Sequence, residues 1–349
     1  MTTRLHTGII GLGAIWRMRH KPALLKLQDR FQVVAVCDVN EQQAKAEAAS
    51  LGCDYTPDWR ELLARPDLDA IHLLTPPDVR LEVIRDAANR GKAVYCEKPL
   101  ALTLAEAAEV VRVVKESGIV YTSEFVRRFF PVSRHLKNLL QEKLGEPRLI
   151  VGESHGAAVG GPGHWMRDQV RSGGYTMDFG VHLIDIFRWV FGHDATAVQA
   201  FGGRYSVLDH PINDIEATAI EFGADKAAHL LITRAVPGEA FSPAWKGPVA
   251  LDRPEFVIYC EKGLAIFEPM KGKLAWQDAS GGGQIEEPLP GGPQFVLIGE
   301  VMNANFHRFA IEGVKPEPDV VDGYKTIEVV FYADAARREG RRLEIPGGS

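Results

Sequence analysis

Apolar and polar positions follow two different rhythms along this chain, and the change comes near Ser123. Before it, short apolar runs are separated by stretches with helical spacing. The runs Gly8–Gly11, Phe31–Cys37, Ala70–Leu74, Ala93–Cys96 and Ile119–Thr122 read as strands. Phe31–Cys37 is nearly all apolar, as a strand buried on both faces is. A helix is expected from the first strand's turn through Leu25. Asn40 with Gln43, Asp58 with Glu61 and Thr103 with Glu106 mark further helix starts, a polar cap followed by a side chain that can bond back. Strands alternating with helices at this spacing predict a parallel, doubly wound α/β sheet.

Beyond Ser123 the pattern predicts a helix over Pro131–Leu144, broken by Gly145-Glu146-Pro147, and a strand over Arg148–Glu153. A loop through Gly156, Gly160, Gly161 and Gly163 leads to a long helix over Gly174–Phe191. Consecutive strands follow with no helices between them: Ala197–Tyr205, Ile215–Phe222, Ala227–Ala235, Glu255–Cys260, Leu264–Phe267 and Lys273–Gln277. Ser280-Gly281-Gly282-Gly283 reads as a turn. Helices near Phe295–Gly313 and Asp322–Gly340 close the chain. This is the signature of an α+β domain with an open, mostly antiparallel sheet. The expected division is 1–123 and 124–349.

The 349 residues suffice for two separate cores. A formal net charge of −6 gives no electrostatic reason to expect nucleic acid or an anionic membrane as partner. No apolar run is long enough to span a bilayer, and the first residues carry no leader-like pattern. Cys37, Cys53, Cys96 and Cys260 are scattered without metal-ligand spacing, so reduced thiols and a cytoplasmic location are expected.

Gly11-Leu12-Gly13 sits at the first strand–helix turn. Glycines there let the backbone turn tightly and approach a pyrophosphate at a helix N-terminus. Trp16 stands where a third glycine is usual, which implies a shifted or more open helix start. Asp38 ends the second strand. A carboxylate there accepts from ribose hydroxyls and repels a 2′-phosphate, so NAD is expected over NADP. Asn40 already reads as the helix cap, which leaves Asp38 available. Thr75-Pro76-Pro77 follows the next strand and fits either a border to the nicotinamide ribose or an ordinary turn.

Lys98 stands at the carboxyl end of an apolar strand, where ligands bind in open α/β sheets. A surface lysine opening a loop is the bland alternative. Asp178, His182 and Asp185 share one stripe of an otherwise apolar helix by i, i+4 and i+7 spacing. Such groups need hydrogen-bond partners. The stripe fits a catalytic histidine and equally a satisfied core histidine paired to Asp178. No further cluster supports a metal.

These residues carry a resemblance. Gly11-Leu12-Gly13, the run from Gly91 through Glu97-Lys98-Pro99-Leu100, and the run from Gly173 through Asp178, Gly180 and His182 to Asp185 resemble the Gfo/Idh/MocA oxidoreductases. The resemblance covers essentially the whole length. It implies an N-terminal Rossmann domain, a C-terminal domain whose open sheet mediates a homodimer or homotetramer, and NAD-dependent hydride transfer on a sugar, sugar acid or polyol. It matches Lys98, Asp178 and His182 to the catalytic lysine, aspartate and histidine, and Lys98-Pro99 to a cis bond. The expected cofactor contacts are Gly11, Gly13, Ala14, Ile15, Trp16, Asp38, Thr75, Pro76, Glu97 and Lys98. The expected substrate contacts are Lys98, Arg127, His155, Trp165, Arg167, Asp178 and His182, and Arg127, Arg128 and Arg167 point toward an acidic sugar. Trp16, Tyr175 and the run Pro77-Asp78-Val79-Arg80 depart from the family pattern. Two other activities stay open at this point: a glycoside hydrolase using transient oxidation, and a non-enzymatic NAD-binding regulator.

Overall fold

The computed structural model describes residues 4–156, 164–205, 211–235, 254–287 and 294–348. The chain forms two compact units, residues 1–126 with 289–324, and residues 127–288 with 325–349. The first unit therefore extends to Val126 and takes back a segment near the C-terminus, which a single cut after Ser123 does not include.

In the first unit six strands, β1 (Leu5–Ile10), β2 (Phe31–Cys37), β3 (Asp54–Thr56), β4 (Ala70–Leu73), β5 (Ala93–Cys96) and β6 (Tyr121–Ser123), make a sheet in the order β3-β2-β1-β4-β5-β6. Every pairing is parallel. The crossovers carry α1 (Lys21–Lys26), α2 (Glu41–Leu51), α3 (Trp59–Leu63), α4 (Arg80–Asn89) and α5 (Leu104–Ser117). Asn40 caps α2 by accepting from Gln43 N, and Thr103 caps α5 by accepting from Glu106 N, as their spacing predicts. Asp58 caps α3 through Arg60 N, but Glu61 takes the Thr56 hydroxyl instead of closing the box. β3 is absent from the sequence reading: three residues with two of them exposed leave no hydrophobic run.

The helix Gln294–Glu312 joins this unit through a helical stripe of buried Ile298, Met302, Phe306 and Phe309. A Cβ at Gly299 would lie 2.8 Å from the Arg19 carbonyl oxygen, so this glycine permits the close crossing. Four residues on, Asn303 reaches into the sheet core.

The second unit is built on nine strands: β7 (Pro147–His155), β8 (Ala197–Gly203), β9 (Ile215–Glu221), β10 (Ala227–Thr233), β11 (Phe256–Cys260), β12 (Gly263–Glu268), β13 (Lys273–Asp278), β14 (Gly281–Glu286) and β15 (Leu343–Glu344). Their order is β14-β13-β12-β11-β7-β10-β9-β8-β15, antiparallel except for β7 with β10. One face packs Ile150, Leu230, Ile232, Ile258 and Phe267 inward under α6 (Pro131–Leu139) and α8 (Val181–Phe191), with α7 (Gln169–Ser172) between them in sequence. Gly152 allows α8 to settle on the sheet, because a Cβ there would meet the Phe187 ring at 2.6 Å. On the other face Leu149, Tyr259 and Phe201 stay exposed at 37%, 44% and 63%.

The turn expected over Ser280–Gly283 is a correction. Gly281 to Gly283 are the first residues of β14, paired in register with Asp278, Gln277 and Trp276. A Cβ at Gly283 would sit 2.5 Å from the Trp276 ring, so glycine lets the indole cover the strand. The two predicted long helices also begin or end as wider turns: Leu140–Leu144 and Thr176–Gly180 are π-helical.

Candidate active site

In the first unit the carboxyl ends of three adjacent strands carry the candidate groups. Gly11 follows β1, Thr75 follows β4 and Lys98 follows β5. The order of the sheet reverses direction at β1 and β4, the switch point where open α/β sheets bind ligands.

Gly11 is required by the chain itself. Its φ is +97°, and a Cβ would lie 2.9 Å from the Leu74 carbonyl carbon. Gly13 is not: its φ is ordinary and a Cβ there would meet nothing within 4 Å. Gly13 and Ala14 are exposed and Ile15 is half-buried. A glycine that the fold does not need leaves room for something outside the chain, which fits a pyrophosphate over the loop. Trp16 is buried, and Lys21 N bonds its carbonyl to open the helix with a π turn over Trp16–His20. The wider start expected from Trp16 is therefore present, and this position offers a ligand main chain and not an indole. Asp38 accepts from Leu12 N at 2.8 Å and Asn40 N at 2.9 Å, which fixes its carboxylate beside the glycine loop. The buried Thr75 hydroxyl has no partner among the described residues. These features fit a dinucleotide.

Lys98 is half-buried and the Lys98-Pro99 bond is cis. Its backbone is held from several sides. Lys98 N donates to Glu97 Oε2 at 3.0 Å. The buried Arg80 guanidinium donates to the carbonyls of Thr75, Glu97 and Pro99, joining the ends of β4 and β5. Arg80 belongs to the run that departs from the family pattern, and its role was not legible from sequence.

Beneath Lys98 lies a second feature the sequence reading missed. Glu97 is 7% exposed and bonds Arg19, which also pairs with Glu124. Glu124 accepts from His20 Nε2, His20 Nδ1 accepts from Asn303, and Asn303 Oδ1 meets His72 Nε2 at 2.6 Å. His72 Nδ1 then takes the Thr7 hydroxyl at 2.9 Å. Each imidazole has one donor and one acceptor partner, the pattern of a neutral ring. Burial drives both down to about 3. Burial, then the neighbouring Glu124, pushes Glu97 up to about 7. His20, Glu97 and Glu124 lie close enough to hold a cation, but the Arg19 guanidinium already bonds both carboxylates. A metal would have to displace it. Only context across 283 residues of sequence separation assembles this chain, so no spacing announces it.

In the second unit the predicted stripe divides. Asp178 and His182 are half-exposed, on the π turn Thr176–Gly180 and the first turn of α8. Asp185 is fully buried and gripped by Arg128 through Nε–Oδ2 at 2.9 Å and Nη2–Oδ1 at 2.6 Å. Gly180 packs against β10, where a Cβ would be 3.4 Å from Leu230. Phe179, the residue after Asp178, lies under Arg234 just past the carboxyl end of β10.

His155 ends β7 opposite Thr233 and bonds Glu153 at 2.8 Å. Beside it stands Arg234, 3% exposed, stacked 3.7 Å over the Phe179 ring. Arg127 is half-exposed and committed to Glu255 at 2.6 Å. Two of the three arginines that suggested an acidic ligand, Arg127 and Arg128, thus each hold a carboxylate of the chain. Trp165 and Arg167 lie on the single 3-10 turn Trp165–Arg167, half-buried, and the exposed His164 accepts from Met166 N to cap it. Gly160, Gly161 and Gly163 lie outside the described residues. All four cysteines are free thiols, and burial pushes Cys37 and Cys260 up to about 12, which leaves them unreactive.

Comparison with known proteins agrees with this arrangement. Residues 5–125 match the oxidoreductase family GFO/IDH/MocA, NAD-binding Rossmann fold, and residues 133–266 match the GFO/IDH/MocA C-terminal domain. An uncharacterized oxidoreductase, YrbE, of Bacillus subtilis (strain 168) is 31% identical over 239 residues, 66% of this chain and 67% of that one. The scyllo-inositol 2-dehydrogenase (NAD(+)) of the same organism is 28% identical over 245 residues, 68% of this chain and 69% of its own. Among solved structures, levoglucosan dehydrogenase in complex with NADH and levoglucosan superposes with a TM-score of 0.86 at 21% identity, covering 99% of this chain and 100% of that one. That likeness is one of fold. With both domain families matched and the parallel and open sheets in place, the chain belongs to the Gfo/Idh/MocA oxidoreductase family.

Proposed function

We propose that this protein is an NAD-dependent dehydrogenase of a secondary hydroxyl on a sugar, sugar acid or polyol. The observation that carries the reading is the alignment of Gly11, Thr75 and Lys98 at the ends of three neighbouring parallel strands. The glycine loop, Asp38 and Thr75 would hold the dinucleotide. When bound, it supplies the acceptor for the hydride that leaves the carbinol carbon. Lys98 donates a hydrogen bond to the reacting oxygen and stabilises its developing negative charge. His182 takes the hydroxyl proton, a task suited to imidazole near neutral pH. Asp178 orients that ring or binds a neighbouring hydroxyl. The named relatives, an NAD-dependent inositol dehydrogenase among them, support this substrate class.

Oligomerisation through the open sheet is part of the same proposal. Leu149, Val151, Val257, Tyr259 and Leu231 lie together on its uncovered face by register. Among the described residues no helix is long and apolar enough to cross a membrane, and work in the cytoplasm, where the thiols stay reduced, is proposed with it.

The test is a panel of inositols, aldoses, aldonates and anhydro-sugars with NAD, read at the NADH absorbance, for wild type, Lys98→Met and His182→Asn. NADH formation by the wild type, lost in both variants with NADH binding retained, supports the reading. Turnover by Lys98→Met near the wild-type rate would refute it. Aryl-glycoside cleavage without net NADH would replace it with the hydrolase.

A further inference from the structure

A guanidinium offers five N–H donors in a planar fork. Arg234 uses three of them. Nη1 donates to Thr233 O at 2.7 Å and Ser154 O at 3.2 Å, and Nη2 donates to Ser154 Oγ at 2.9 Å. The Nε–H and one Nη2–H have no acceptor among the described residues. This is the edge with which the protein elsewhere binds carboxylates side-on. Arg128 uses Nε and Nη2 on Asp185, Arg188 uses them on Asp194, and Arg342 uses them on Glu221.

Arg234 leaves that edge open. No carboxylate lies within ion-pair distance of it among the described residues, although it is 3% exposed. Burying a cation without a paired anion is costly, and burial lowers its pKa to about 10. The neighbouring groups that bear on it are Asp178 and then Tyr175, which favour the cation, and Arg127, which opposes it. The fork is held rigidly all the same. It stacks on Phe179, the residue after Asp178, and a Cβ at Gly156 would crowd Nη1 at 3.2 Å. A rigid, desolvated guanidinium edge beside Asp178 and His155 is a built half of a bidentate ion pair.

We propose that Arg234 is a specificity-determining residue whose open Nε/Nη2 edge receives the carboxylate of the substrate, so that the preferred substrates are polyhydroxy acids, aldonates or uronates, and not neutral sugars. The inference rests on the dehydrogenase reading for the role of the neighbouring Asp178, and it narrows that reading to one substrate class.

The experiment titrates gluconate, glucuronate and galacturonate, with glucose, galactose and sorbitol as neutral partners, into the protein with and without NADH by calorimetry. Wild type, Arg234→Met and Arg234→Lys are compared after circular dichroism melts. The wild type should bind at least one acid about tenfold or more tighter than its neutral partner, as expected for a desolvated charge pair. Arg234→Met should abolish that ratio while leaving the neutral affinities within about threefold, and Arg234→Lys should lower it by losing the fork. If Arg234→Met does not fold, the Arg234→Lys ratio decides. Wild type with no preference for any acid, or an unchanged ratio in the folded variant, overturns the proposal. The dehydrogenase reading fails separately, by absence of NADH formation from any compound of the wider panel.

Discussion

Arg128 and Asp185 form a two-pronged ion pair inside the second unit, with side chains 6% and 1% exposed. That pair separates Asp185 from Asp178 and His182, although all three share one helical stripe in sequence. Removing one partner leaves a buried charge uncompensated, which costs about 3–5 kcal/mol. Arg128→Met and Asp185→Ala should each lower the unfolding free energy, measured by urea titration, by that much. Asp178→Asn, at a half-exposed position, should cost less unfolding free energy than either and remove turnover. Equal stability losses at 178 and 185 would contradict this division.

Gly13 gives a cleaner separation of fold from ligand. A Cβ there touches nothing within 4 Å in the protein. Gly13→Ala should keep the thermal midpoint of the free protein while NADH affinity, followed by fluorescence, falls about tenfold or more, because the added methyl occupies the pyrophosphate's approach. Gly11→Ala should instead destabilise the free protein, since its φ of +97° and its contact with Leu74 are built into the fold.

Asp38 should set the nucleotide preference. Its carboxylate is fixed by Leu12 N and Asn40 N and would repel a 2′-phosphate. Asp38→Ser should weaken NAD and narrow the NAD-to-NADP ratio of kcat/KM by roughly tenfold or more, the scale of one charged contact of about 1.5–3 kcal/mol. A ratio unchanged by the substitution would remove Asp38 from cofactor selection.

Acid should destabilise the first unit through His20 and His72. Both are held neutral in the fold, at about 3, against about 6.5 when unfolded. Above 6.5 neither state is protonated and nothing is lost. As pH falls from about 6.5 toward 3 the unfolded chain binds protons that the native state cannot, so stability drops. Glu97, raised to about 7, has the opposite sign: between its unfolded value of about 4.3 and 7 the native state holds the extra proton and acidification favours the fold. The two imidazoles outweigh the one carboxyl. Urea midpoints should therefore fall between pH 7 and 5, and His72→Gln should flatten that slope. A slope unaltered in this variant would mean that His72 titrates normally.

Much of the fold is visible in the sequence because its signals are local. Asn40 and Thr103 announce their helices by the caps they form. β2 and β5 are found from their apolar runs alone, with their ends at Phe31, Cys37, Ala93 and Cys96. What escapes is short or paired at long range. β3 and the two-residue β15 have no run to detect. The Gly281–Gly283 segment looks like a turn until Trp276 lies over it. Arg127 and Arg128 look available until Glu255 and Asp185 are brought to them.

The sequence by itself determined the alternation of strands and helices, the glycine loop and its place at a strand end, and the positions of Lys98, Asp178 and His182, since each rests on residues a few positions apart. The tertiary structure decided which charges are spent and which are left over. Arg80 ties Thr75 to Pro99. Asn303 completes the His20 and His72 network from the far end of the chain. Arg234 keeps an open edge while Arg128, Arg188 and Arg342 find carboxylates. Desolvation and pairing depend on neighbours that folding supplies, and no local pattern of residues encodes them.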